Sequence, residues 1–244
     1  MIKFFRRIRY KLMEQNKTSK YFKYAIGEIV LVVIGILIAL SINNWNEKQK
    51  EKNQIRNIYA RIVKDFENSS KEIERDVAVM EARFFLMDRI IREEVNRDSL
   101  LTNTDYFQKY FFSTTGFPDI KIIDTGVRVL ESKIELNYEL NNELSEALSL
   151  LYSQLLFEIE IDEKFLTNKF SELTSHIQYK GIRVDYRINN NRSTFVDMIF
   201  EDDLFKSHFF AYSRSHRAYS RLLNKFKTRG TILMDKIKTE YHIE

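Results

Sequence analysis

The residues able to do chemistry are few, and their spacing is unfavourable. There are no cysteines, which excludes disulfides, thiol catalysis and Cys-ligated metals. The histidines are His176, His208, His216 and His242. A di-iron bundle needs two Glu-x-x-His pairs and two further Glu. The nearest feature is Glu172 with His176, one helical turn apart, and no second pair exists. The run "EIEIDE" (158–163) puts Glu158 and Asp162 on one helical face, where they could bind a cation or move protons. Ile159 and Ile161 interleave them, and a solvated acidic face is the simpler reading. No Gly-x-Ser-x-Gly elbow, P-loop or Rossmann glycine pattern is present. The segment "RSHR" (214–217), with Arg221, Lys225 and Lys227, is basic enough to meet phosphate or anionic lipid, or to balance acidic neighbours. No catalytic residue, cofactor or metal is implied.

The elements that would position these groups are helical. One Pro and 6 Gly leave too little punctuation for a strand-and-turn fold. Ile55, Ile58, Ile62, Phe66, Ile73, Val77, Met80, Phe84, Met87, Ile91 and Val95 recur with a period near 3.6, with Ser70 as the missing member. This predicts one straight amphipathic helix from Trp45 to about Asn96. A break over 96–104 precedes a short helix at 105–112. The segment 113–126 holds the only Pro and reads as a loop with an extended piece at 120–123. Val127–Ser132 adds a turn or two. A long helix capped by Asn137 or Asn141 carries the stripe Leu144, Leu148, Leu151, Leu155, Ile159, Leu166, Phe170, Leu173 and Ile177, and stops at Gly181. Residues 181–194 read as a loop or small hairpin, and 194–200 as a short helix. Asp202 caps a final helix, with Phe205, Phe209, Tyr212, Tyr219, Leu223, Phe226, Leu233 and Ile237 on one side and Gly230 as a bend. The expectation is an all-α fold: one apolar N-terminal helix and an antiparallel bundle of long helices.

The N-terminal part sets the location. Ala25 to Ile42 spans about 27 Å as a helix, close to the hydrocarbon thickness of a bilayer. Tyr21, Tyr24 and Trp45 bracket it as interfacial aromatics do. Residues 1–24 hold Lys3, Arg6, Arg7, Arg9, Lys11, Lys17, Lys20 and Lys23 against Glu14 alone, so the rest of the chain is net acidic despite an overall +4. A nucleic-acid-binding domain would carry that charge on a folded face, whereas beside a span its partner is anionic lipid. The positive-inside rule divides the chain into a basic cytoplasmic tail (1–24), a transmembrane helix (25–42) and an exterior, periplasmic domain (43–244) in a bacterial inner membrane. A cleaved signal peptide competes, with Ala39-Leu40-Ser41 as the small-x-small site; the long basic region and long apolar run count against it. Glu28, Gly35 and Ala39 share one face of the span with Ile42. Gly35-xxx-Ala39 allows close helix approach, and Glu28 either hydrogen-bonds across such a contact, or snorkels to the headgroups or pairs with a nearby lysine.

The opening "MIKFFRRIRYKLMEQNKTSKYFKYAIGEIVLVVIGILIALSINNWNE" resembles a family of uncharacterised single-pass membrane proteins of Bacteroidota. The resemblance covers about the first 47 residues. It implies a membrane location, helical content and a retained anchor, and it carries no activity. Two functions follow as expectations. The first is a membrane-anchored interaction or scaffold protein of the envelope, without catalytic activity, whose partners are the bilayer and either its own copies or another envelope protein. The second is an exterior ligand-sensing bundle that signals through a partner membrane protein.

Overall fold

The computed structural model describes residues 6, 10, 18–134, 140 and 142–243, and its chain is all-α. The helices are α1 (Thr18–Ile91), α2 (Arg97–Thr102), α3 (Thr104–Thr115), α4 (Thr125–Ile134), α5 (Glu143–Leu150), α6 (Leu156–Tyr179), α7 (Ile182–Arg187), α8 (Ser193–Glu201) and α9 (Asp203–Tyr241). A π-helical turn, Leu151–Leu155, joins α5 to α6. The chain forms two compact units, Met1–Ile55 and Arg56–Glu244.

In the second unit α9 packs against both other long helices. Its stripe Phe205, Phe209, Tyr212, Tyr219, Leu223, Phe226, Leu233 and Ile237 is buried, as the 3.6 period predicts. Towards α1, Tyr59 stacks on Tyr241 at 4.2 Å and Phe66 meets Phe226 at 6.0 Å. Towards α6, Phe170 meets Tyr212 at 5.5 Å and Lys225 pairs with Glu158 at 3.2 Å. In both pairs low numbers meet high ones, so α9 runs antiparallel to each neighbour. A second cluster, Phe107, Phe111, Tyr186 and Phe195, joins α3, α7 and α8.

Several local expectations need correction. The buried hydroxyl in the α1 stripe is Ser69, not Ser70. Its Oγ donates to the Asp65 carbonyl and accepts from the Ile123 N–H, both at 2.9 Å, so it fastens the 116–124 segment to the helix. That segment has no regular structure at 120–123. The break at 96–104 contains helix α2, and Asn96 and Asn103 each accept a backbone N–H as N-caps. Asn137 and Asn141 lie outside the described residues. The cap of α5 is Asn142, in a reciprocal capping box with Ser145. Residues 182–187 form helix α7, not a hairpin, after a left-handed Gly181 (φ 67°). Asp202 does cap α9, accepting from the Phe205 N–H at 2.9 Å.

Two glycines are contact points between elements. Gly126 donates its N–H to the Asp65 carboxylate at 2.9 Å, and a Cβ there would lie 2.9 Å from the Ile62 backbone nitrogen. Gly230 does not interrupt α9, which runs unbroken through it. A Cβ on Gly230 would lie 2.0 Å from a ring carbon of Phe66, itself buried. We expect Gly230→Ala to destabilise the protein by roughly 1–3 kcal/mol through overpacking, although alanine favours a helix by about 1 kcal/mol. Denaturant unfolding of the full chain measures the sign; a more stable variant would show that the ring moves freely.

Candidate functional site

The three residues singled out in the span, Glu28, Gly35 and Ala39, all lie on α1 within the first unit. Gly35 and Ala39 are exposed and Glu28 is half-buried. A Cβ added at Gly35 would meet no atom within 4 Å, and the same holds at Gly27. None of the apolar window of this helix is buried, and its length and composition suffice to cross a membrane.

Two of the histidines, His176 and His208, meet Glu172 and Asp202 where α6 ends and α9 begins, but not in the pairing that sequence spacing offered. His176 Nε2 lies 2.9 Å from Asp202 Oδ2, and Lys180 reaches the same oxygen at 2.9 Å. Glu172 instead takes Lys169 at 2.9 Å and His208 at 3.6 Å. The two imidazoles are 5.9 Å apart. Burial alone would raise the Asp202 carboxyl, but the Phe205 N–H, Lys180 and His176 outweigh it and hold the group well below the usual carboxylate range. An ionised Asp202 only accepts, so His176 Nε2 carries the hydrogen between them. The arrangement is an N-cap with two further fasteners. Among the described residues no three His, Asp or Glu side chains are arranged to hold a metal ion.

The acidic run divides in two. Glu158 is exposed and paired with Lys225. Asp162 and Glu163 are half-buried, and both carboxyls are raised: Asp162 by burial and then by Glu158, Glu163 by burial and then by Asp119 and Glu160, with Lys164 opposing. The basic stretch of α9 is balanced by neighbours. Lys227 pairs with Glu74 at 3.0 Å, and the Arg217 guanidinium lies 4.8 Å over the Phe84 ring.

His216 departs most from its sequence reading. It fills the step between Tyr212 and Tyr219 on the buried stripe of α9 and is fully enclosed. Neither ring nitrogen has a hydrogen-bond partner among the described residues. Burial, and secondarily the Arg83 charge, push its pKa down to about 4. The signal available in the sequence was its phase: 212, 216, 219 and 223 continue one stripe.

The family of unknown function DUF6090 matches residues 28–200. The chain belongs to this family. The match begins at Glu28, inside the apolar helix, and ends at Phe200, before α9. It therefore covers the folded unit far beyond the N-terminal stretch that carries the resemblance. No curated protein and no solved structure matches the chain.

The His216 shift fixes a pH dependence. The folded pKa lies below the ordinary 6.5, so the unfolded chain takes up the proton first as pH falls. Stability from this residue is intact above pH 6.5, declines between pH 6.5 and about 4, and is level below. The loss is on the order of 3 kcal/mol. Asp162 and Glu163 act in the opposite sense, since their raised carboxyls bind protons in the folded state first. Urea midpoints of His216→Phe against the parent, across this window, isolate the histidine. The variant should hold its stability where the parent loses it; parallel pH profiles would refute the assignment.

Proposed function

We propose that this DUF6090 member is a membrane-anchored interaction or scaffold protein of the bacterial envelope, without catalytic activity. The observation that carries the reading is an exposed apolar helix long enough to span a bilayer, on a chain whose second unit uses its ionisable side chains to join helices. The basic residues before the span support an orientation with the N-terminus in the cytoplasm and residues 43–244 in the periplasm, across the inner membrane. The resemblance of the opening stretch supports a source among the Bacteroidota. The partners are the bilayer and either a second copy or another envelope protein, and nucleic acid is not among them. Glu28, Gly35 and Ala39 form the contact within the membrane.

A second reading, in which the exterior bundle senses a ligand and signals through a partner membrane protein, draws on α1, a single helix from Thr18 to Ile91 that contributes to both units.

Two measurements test the first reading. A reporter active only after export, fused after Glu244, should be active, and a signal from a cytoplasm-only reporter there would refute the topology. In a membrane two-hybrid assay of the span, Gly35→Leu should reduce association by adding bulk where backbones meet. Glu28→Gln should be mild, because interhelical hydrogen bonds average under about 1 kcal/mol. A span that never associates, or one indifferent to both Gly35→Leu and Glu28→Ala, would leave Glu28 as a snorkelling residue and remove the contact.

A further inference from the structure

A cleft of about 380 Å³ opens between the α5–π–α6 segment and α9. Leu150, Leu151 and Leu155 line one wall, and Ile232 and Leu233 the other. Leu150 is 54% exposed and Ile232 58%, so the cleft leaves apolar surface in water. The π turn falls inside this wall, and such turns recur at binding sites. The volume lies within the range of about 300–1,000 Å³ of small-ligand sites. A larger cleft of about 830 Å³ shares Ala147, Leu233 and Lys236 with it and extends towards Leu144.

The charges along the cleft are unequal in their commitments. Lys225, Arg229 and Lys236 are spaced to share the α9 face that lines it. Glu158 neutralises Lys225 at 3.2 Å. Arg229 and Lys236 have no acidic partner among the described residues, and they flank Ile232 by about one helical turn on either side. An occupant that offers an anion to one of these cations and an apolar body to the leucine-lined walls would match both features of the cleft. The larger cleft also carries the acids Glu143, Asp235 and Glu240, which disfavour an anion there.

We propose that this cleft binds a single-chain anionic amphiphile, with its carboxylate or phosphate at Arg229 and its hydrocarbon along Leu150, Leu151 and Ile232. The occupant is a free amphiphile taken up singly, not the surface of a bilayer.

The test uses the full chain in phosphatidylcholine nanodiscs and a photoactivatable analogue of palmitate. After illumination, adducts are mapped by mass spectrometry of peptides. Adducts are expected in 147–158 and 225–236 as well as in the span. Exchange of both cations in Arg229→Glu/Lys236→Glu should lower cleft labelling by about tenfold and leave span labelling unchanged. The neutral alcohol of the same chain should label the cleft weakly. Adducts confined to the span overturn the proposal and leave a partner protein as the occupant of this face. Equal labelling by the alcohol, or labelling that survives charge reversal, overturns it by showing an apolar patch without anion recognition. Displacement of the probe by phosphatidylglycerol in the discs assigns the site to the bilayer headgroup and overturns the single-chain occupant.

Discussion

The folded unit depends on the approach of α1 to α9, where the Phe66 ring lies against the bare backbone of Gly230. Helices joined by side chains alone stand about 8–10 Å apart, and a glycine lets a large ring occupy the space a Cβ would take. That contact sets the height at which Tyr59 reaches Tyr241 and Lys238 reaches Glu67 at 2.6 Å. Gly126 does the same for α4, bringing its first turn onto the Ile62 backbone. Aromatic side chains then fill the remaining width, as in the T-shaped pair of Tyr152 and Phe226 at 5.3 Å.

What could be seen in the sequence was what a 3.6 period encodes. The stripes of α1, α6 and α9, the stop at Gly181 and the cap at Asp202 are properties of one helix at a time. What stayed hidden depends on the neighbour. Ser69 and Ser70 are equally polar, and only the 116–124 segment distinguishes them, because the Ile123 N–H requires an acceptor. The π turn at 151–155 keeps the apolar spacing of an α-helix, so periodicity does not reveal it. Gly230 suggests a bend from sequence because a glycine in a helix has two uses, and the ring that decides between them lies on another helix. The span residues share one face by helical phase, and exposure does not distinguish that face, because the whole apolar window is unburied.

The polar groups follow a consistent economy. Asp202, Lys180 and His176 close one helix end, Arg97 holds Asp197 at 2.6 Å and Glu201 at 2.9 Å, and Arg56 donates to the last carbonyls of α9. Residues that looked chemical by type are mostly structural by position. His216 differs, since among the described residues it gains no hydrogen-bond partner from its burial and makes the core sensitive to acid. Glu172 and His176, neighbours by spacing, are turned to different partners.

The helix that packs against both other long helices, α9, lies beyond the stretch by which the family is recognised. The unit of sequence kinship and the unit of cooperative folding are thus different lengths of the same chain. An excision that respected the first would strip the cover from Phe66, Tyr152 and Phe170 and release a sticky fragment.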